Sequence, residues 1–346
     1  MRIAVIGAGA IGLTHCQAIA AVEGAEIAGV ADPFPGGAKL AAEFGTTAYP
    51  DHHALIAAER PDAAIVAAPN ETHLPIALDC LAAGVPVLVE KPLVNSLAEA
   101  GTLLAATRDA GLPVLVGHHR RHHPWIARAR EIVASGALGR LAAVSATAFL
   151  MKPESYFEPD WRRTPGVGGT FLINLIHEID LIRFVCGEIV AVSAMASSAL
   201  RGFPVEDTGA LAFRLEGGAL VSLVISDTAA GPWSWDMAAG DVPRFPAHDV
   251  NSHLIAGDRG ALTLPRLEIW RHDGPAEWTT PMVMARDATL REDPYQRQIR
   301  HLIAVVRDGA PSFVSAAEGA RNLAVMEAVR AAVETGRSVE VARIAD

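Results

Sequence analysis

The stretch Met1-Arg2-Ile3-Ala4-Val5-Ile6-Gly7-Ala8-Gly9-Ala10-Ile11-Gly12 decides how the rest of the chain is read. A short apolar run enters three glycines spaced Gly-x-Gly-x-x-Gly, and Leu13, Cys16, Ala18, Ile19 and Ala20 then recur at helical spacing. The order is strand, glycine turn, helix. Gly7 permits a tight turn, Gly9 lets the backbone approach a pyrophosphate, and Gly12 lets helix and strand pack closely. Phosphates would sit against the free N–H groups around Ala10, Ile11 and Gly12, at the positive end of the helix. The next apolar run, residues 25–31, ends at Asp32, about 20 residues past the turn, where the dinucleotide fingerprint requires an acid. A carboxylate there accepts hydrogen bonds from both adenosine ribose hydroxyls and repels a 2′-phosphate. Pro33-Phe34-Pro35 follows, with no Ser-Arg pair to welcome that phosphate, so NAD is expected over NADP.

The same grammar continues through the first third. Apolar strands at 63–68, 85–89 and 114–117 alternate with helical stretches at 38–44, 53–59, 73–83 and 97–110. Ser96 is placed to cap the last of these, with Glu99 in capping-box position, and Gly111 and Pro113 end it. Such alternation predicts a doubly wound parallel sheet, whose ligands bind outside the carboxyl ends of its strands. Gly7, Asp32, Pro69-Asn70, Glu90-Lys91 and the run from His118 all fall at such ends.

Near His122 the pattern changes. Helices at 125–135 and 170–186 accompany strands at 141–150, 189–198, 209–215, 219–226, 253–256, 261–264 and 267–271, and Glu216-Gly217-Gly218 reads as a hairpin. This predicts an α+β domain with a mostly antiparallel open sheet. The expected organisation is therefore a Rossmann domain over 1–122 and a substrate and oligomerisation domain over 123–346. Two final helices, 294–307 and 315–335, are expected to pack back on the first domain. Residues 229–250 lack periodicity and read as a long surface loop.

Composition narrows the function. A chain of 346 residues with 51% hydrophobic and 20% charged residues is ordered and long enough for two cores. A net charge of −10 argues against nucleic acid and anionic membrane as partners. Cys16, Cys80 and Cys186 are odd in number, far apart and without metal-ligand spacing, so reduced thiols, a cytoplasmic location and no bound metal are expected. A strand begins at the first residues, so no signal peptide is expected, and no apolar run reaches the roughly 18–20 residues of a membrane span. One uncovered face of an open sheet predicts a homodimer or homotetramer.

Several segments together resemble the Gfo/Idh/MocA oxidoreductase family, in order and over nearly the whole chain. Ala67-Ala68-Pro69-Asn70 with His73 resembles its A-T-P-N-x-x-H segment, and residues 81–92 resemble its L-x-A-G-x-x-V-x-x-E-K-P. Residues 117–124 resemble V-G-x-x-R-R-x-x-P, Trp161-Arg162 and Gly168-Gly169 the W-R and G-G elements, and His177 with Asp180 the H-x-x-D of the catalytic helix. The resemblance implies a nicotinamide-dependent dehydrogenase acting on a secondary alcohol of a sugar, cyclitol or related polyol. It implies that Lys91 hydrogen-bonds the reacting hydroxyl and that His177 is general base in oxidation and general acid in reduction. It adds Pro69, Asn70, His73, Glu90, Lys91 and Arg162 to the cofactor side. His119, Arg120, Tyr156, Trp161 and Asn174 join His177 as substrate-side candidates.

Read from the residues alone, Lys91 is equally a proton-transfer group or an exposed partner of Glu90, and His177 on an apolar helix face reads more often as a core histidine than as a reactive one. Asp180 reads as a structural partner. In residues 118–123 successive side chains leave a strand end in different directions, which disfavours a metal triad. One departure stands out: the family's Asp, a helical turn before the His, is Ile173 here, with Asn174 beside it. A dehydrogenase of a cyclic dihydrodiol or other non-sugar alcohol, and a non-catalytic NAD-binding sensor, stay open as alternatives.

Overall fold

The structure, a computed structural model, describes residues 1–241 and 245–344. The chain opens with β1 (Arg2–Ile6), α1 (Ala10–Ala20), β2 (Glu26–Ala31), α2 (Pro35–Glu43), β3 (Ala48–Tyr49) and α3 (His52–Glu59). It continues with β4 (Ala63–Val66), α4 (His73–Ala82), β5 (Val87–Val89), α5 (Leu97–Ala110) and β6 (Val114–Val116). These strands form one sheet in the order β3-β2-β1-β4-β5-β6, every pair parallel. The order reverses between β1 and β4, which is the switch point where such sheets bind ligands.

The sheet is buried on both faces, and the strand period of two explains how. Ala4, Ile6, Ala64, Val66, Val87 and Val89 join one core with Ile76 and Cys80 of α4 and Leu103 of α5. Their neighbours Ile3, Val5, Ala63, Ile65 and Leu88 join the opposite core with Cys16 and Ile19 of α1. Helix α5 is capped by Ser96, whose Oγ accepts the Glu99 N–H at 3.2 Å, and closed by Gly111 in the left-handed region. The Glu99 carboxylate accepts from the Asn95 N–H instead of completing a capping box on Ser96.

Next come α6 (Pro124–Ala134), β7 (Leu141–Phe149), a π-helical segment (Phe171–Leu175) running into α7 (Ile176–Cys186), β8 (Ile189–Ser197), β9 (Thr208–Leu215), β10 (Leu220–Ser226) and α8 (Trp235–Ala238). The chain then runs through β11 (His253–Gly257), β12 (Ala261–Leu264), β13 (Glu268–His272), β14 (Met282–Arg286), α9 (Pro294–Asp308), α10 (Ala316–Thr335) and β15 (Val339–Glu340). The nine strands from β7 onward form a sheet ordered β14-β13-β12-β11-β7-β10-β9-β8-β15. Only the β7–β10 pair is parallel. Along β9 and β10, Leu211, Phe213, Leu215, Val221, Leu223 and Ile225 enter the core with Ile176, Ile179 and Ile182. The other face leaves Met195, Leu220 and Leu254 exposed.

Two compact units result. The first comprises Met1–His122, Asp293–Leu323 and Ile344; the second comprises His123–Glu292 and Ala324–Arg343. Helix α9 thus belongs to the first unit, where Ile299 and Leu302 pack in the core shared with α1. Among the described residues no helix is long and apolar enough to cross a membrane.

Two expectations need correction. The segment 229–250 is not simply a surface loop. It contains α8, whose Trp235 is buried in the second unit's core with its indole N–H donating to Asp241 at 3.0 Å. A large ring with a polar edge gains from burial once that edge has an acceptor. Residues 242–244 of the segment lie outside the described residues. The helix expected over 170–186 opens as a π-turn, the irregularity that often marks a functional position.

Candidate active site

In the first unit the expected site residues gather at the carboxyl ends of adjacent parallel strands. Gly7 has φ +107°, and a Cβ there would stand 2.4 Å from the Ala67 carbonyl oxygen, at the end of the neighbouring strand β4. A Cβ on Gly12 would stand 2.0 Å from the Gly7 carbonyl oxygen. A Cβ on Gly9 would meet nothing within 4 Å, so the backbone there is open to a ligand. Gly9 is also the N-cap of α1. It supplies no side-chain acceptor to the first turn, and no acid lies in that turn. The N–H groups that begin α1 are thus free of side-chain caps, as a bound pyrophosphate requires. Asp32 anchors the turn's far side: its Oδ2 accepts the Ala8 N–H at 2.7 Å and its Oδ1 the Phe34 N–H at 2.8 Å.

Beyond β4 and β5 the loops are tied together. The buried ring of His73 places Nδ1 2.8 Å from the Pro92 carbonyl and Nε2 3.0 Å from the Ala68 carbonyl. Asn70, on the same loop, receives the Asn95 side-chain N–H on its carbonyl at 3.3 Å, while Pro69 is exposed. Glu90 is buried against His15 of α1 at 2.7 Å and accepts the Lys91 N–H at 3.1 Å. Burial works to raise the Glu90 carboxyl, but the hydrogen bond and charge of His15, with His119 and Lys91, outweigh it and hold it below the ordinary carboxylate range. Glu90 fills the space in front of Gly117, where a Cβ would come within 2.6 Å of its carboxyl carbon. Lys91 follows directly, half-buried, its peptide bond to Pro92 cis. It sits one strand beyond β4 at the switch point.

The cationic run after β6 disperses. His118 Nε2 lies 2.8 Å from the Asn322 side-chain nitrogen, and His119 stacks on Tyr295 at 4.6 Å. Arg121 donates to Glu318 at 2.9 Å, and Arg120 is buried. His122 packs on Phe313, and burial, reinforced by His301 and other neighbouring positive groups, pushes its imidazole well below the usual range. Among the described residues one trio of metal-ligand types does meet, His52, His53 and Asp79, with a His52–Asp79 hydrogen bond of 2.9 Å within it.

In the second unit the candidates collect around the π-to-α segment. His177 is buried near the start of α7, and Asp180 one turn on is buried as well. Glu178 points elsewhere, to the buried His253 at 2.9 Å. Gly168 and Gly169 let the preceding loop fold against the segment: a Cβ on Gly168 would stand 2.4 Å from the Arg162 carbonyl oxygen, and one on Gly169 2.6 Å from Glu206. Glu206 accepts the Phe171 N–H at 2.7 Å, capping the π-turn, and burial raises its carboxyl above the ordinary range. Asn174 accepts from Lys152 Nζ at 2.6 Å. Tyr156 is half-buried beneath two cations, Arg162 at 4.0 Å and Lys152 at 4.8 Å from its ring centroid, whereas Trp161 is exposed beside Arg162. Ile173 brings no carboxylate to this group.

Two participants escaped the sequence reading. His15 lies in the apolar stripe of α1, and nothing local announces that it faces Glu90, 75 positions on. Lys152 follows the end of apolar strand β7, as Lys91 follows β5; that shared position was the available signal.

The family described as the Gfo/Idh/MocA oxidoreductase family, NAD-binding Rossmann fold, matches residues 1–118, and the family's C-terminal domain matches residues 126–263. Inositol 2-dehydrogenase 2 of Saccharopolyspora erythraea is 31% identical over 353 residues, covering 99% of this chain and 95% of that protein. Myo-inositol 2-dehydrogenase of Thermotoga maritima is 26% identical over 360 residues, with 99% of each covered. A solved structure of levoglucosan dehydrogenase with NADH and levoglucosan shares the fold at a TM-score of 0.84, with 20% identity over 99% of this chain and 100% of that one. Sequence and fold agree from end to end, and the chain belongs to the Gfo/Idh/MocA family of oxidoreductases, NAD-binding through its Rossmann unit.

Proposed function

We propose that this NAD-dependent dehydrogenase oxidises a secondary alcohol on a sugar, cyclitol or related polyol, or runs the reverse reduction, with Lys91 and His177 handling the proton. The observation that carries the residue assignment is the placement of Lys91. It is half-buried at the strand end beside the switch point, and the neighbouring acid, Glu90, is already turned toward His15.

The turn of residues 7–12 and the first N–H groups of α1 would hold the pyrophosphate, and Asp32 the adenosine ribose. NAD, when bound, would supply the hydride acceptor. Lys91 would donate a hydrogen bond to the reacting oxygen and stabilise the negative charge that grows on it as its proton leaves. His177 would take that proton, a task suited to imidazole near neutral pH. His119, Arg120, Tyr156, Trp161 and Asn174 are the side chains proposed to orient the remaining oxygens. The inositol 2-dehydrogenase relatives support a cyclitol as the first substrate to try.

The test is a panel of inositols, aldoses and dihydrodiols with purified protein and NAD, followed by NADH absorbance. Turnover of a cyclitol or sugar is the expected result. Turnover of dihydrodiols alone would replace the substrate class, and NAD binding with no turnover would favour the sensor reading. We also propose a cytoplasmic homodimer or homotetramer, paired through the sheet face that exposes Met195, Leu220 and Leu254. The unbridged thiols Cys16, Cys80 and Cys186 accord with a reducing compartment. A monomeric mass in light scattering would overturn the assembly.

A further inference from the structure

We propose that His52, His53 and Asp79 form a binding site for a divalent transition metal of the zinc class, which ties the start of α3 to α4 in the first unit. Metal binding there is independent of the proposed dehydrogenase chemistry.

Adjacent residues on a helix point about 100° apart and do not face each other. His52 and His53, the first two residues of α3, nevertheless bring their rings to 4.1 Å between centroids, tilted by 34°. Both direct Nε2 at the same oxygen: Asp79 Oδ2 lies 2.9 Å from His52 and 3.5 Å from His53. One ligand atom from each residue lies within 4.8 Å of the other two. Two tetrahedral zinc ligands, each about 2.0–2.1 Å from the ion, stand about 3.3 Å apart, and the two nitrogen–oxygen separations bracket that spacing. Other histidine–carboxylate pairs, such as His15–Glu90 and His253–Glu178, have no third group of this kind within reach among the described residues.

The donor set selects the ion. Two imidazoles and a carboxylate suit zinc, nickel and copper, whereas magnesium and calcium take oxygen. Asp79 supplies the negative charge, and among the described residues no lysine or arginine pairs with it. The partial positive charge at the start of α3 opposes a cation, and the carboxylates of Asp51 and Asp79 offset it. In the His52–Asp79 hydrogen bond the imidazole proton is on Nε2, because a carboxylate only accepts. An ion at Nε2 takes the other neutral tautomer, with that proton on Nδ1.

The ligands are held from behind. Asp51 caps α3 by accepting the Ala54 N–H at 2.8 Å, which fixes the turn carrying both histidines. Leu55 of α3 and Ile76, Ala77 and Cys80 of α4 share one buried core, so the two helices already meet on their apolar sides. The His53 side chain is 68% exposed, which leaves water to complete a four-coordinate ion. The clamp joins residues 27 positions apart at the edge of the parallel sheet, where β3 is only two residues long.

The test is calorimetric titration of the chelator-treated full chain with Zn2+, with Co2+ absorption reporting tetrahedral nitrogen and oxygen ligands. One ion per chain is expected. His53→Ala and Asp79→Asn should each weaken that binding at least about tenfold. The His53 side chain is largely exposed, so its variant is expected to fold, and circular dichroism checks both. With Zn2+ at about 100 times Kd the thermal midpoint should rise by several degrees, and by much less in the variants at the same concentration. His248→Ala, which removes an exposed histidine of the second unit, should leave affinity and midpoint shift unchanged. Absence of saturable Zn2+ binding, equal affinity in all four proteins, or a loss in His248→Ala as large as in His53→Ala would overturn the site.

Discussion

At the turn of residues 7–12 the working surface is backbone; on the segment from Phe171 to Cys186 it is side chain. The turn functions by what its residues lack. A Cβ on Gly12 would strike the Gly7 carbonyl, a Cβ on Gly7 the Ala67 carbonyl, and Gly9 leaves open space in front of uncapped N–H groups. The helical segment would work by what its residues carry: a buried imidazole at His177 and an amide at Asn174 that accepts from Lys152 in the loop after β7. A site made of absences tolerates few changes and is written in local spacing. A site made of side chains is free to vary one group at a time, and Ile173, where the resemblance implies an Asp, brings no carboxylate to it.

The comparison can be broken at its extremes. The largest expected effect comes from pairing Lys91→Ala with His177→Ala. Each should lower kcat about 10²- to 10⁴-fold, the usual range for losing a general acid or base, while NADH binding by fluorescence titration is retained. If only one of the two lowers turnover, proton handling belongs to a single unit and the division of labour fails. Gly12→Ala should act in the opposite manner. Its Cβ has no room, so about 1–3 kcal/mol of stability should be lost in thermal or urea unfolding, and cofactor binding should weaken with it. Retained NADH affinity in that variant would show that close packing at the turn is dispensable.

A smaller effect sharpens the comparison, because it tests side-chain pairing within the backbone-made region. His15→Ala leaves the buried Glu90 carboxylate short of its partner and should cost about 1–3 kcal/mol near neutral pH. The sign with pH follows from the direction of the shift. Glu90 is held below its ordinary value in the fold, so its contribution is fully present above the ordinary carboxylate range and is lost as pH falls through the depressed value. Without His15 the depression shrinks, and the acid-unfolding midpoint should move to higher pH. An unchanged midpoint in circular dichroism would show that His15 does not set the Glu90 charge.

Legibility divides along the same line. The parallel sheet was readable because β1, β2, β4, β5 and β6 are apolar runs with a Gly or Pro within three residues of their ends, and because sheets buried on both faces need nothing else. Strands β3 and β15, two residues each, and β14, exposed along its length, carry no such signal. Trp235 read as loop because its burial depends on Asp241, six residues on, accepting its N–H. Lys152 was passed over because a single lysine beside a proline looks like any surface lysine until Asn174, Asp227 and Tyr156 surround it.

By itself the amino-acid order determined the strand–turn–helix that opens the chain, the parallel architecture built on it, the preference for a nicotinamide dinucleotide and the membership of the family. Each of these rests on spacing within a few residues, where backbone conformation and hydrophobic period act locally. The tertiary structure alone decided which charges meet: His15 with Glu90, Glu178 with His253, Lys152 with Asn174. Those pairs lie 22 to 75 positions apart. An ion pair or buried hydrogen bond depends on distances of a few ångströms set by the packing of whole elements, and no local pattern encodes such a distance.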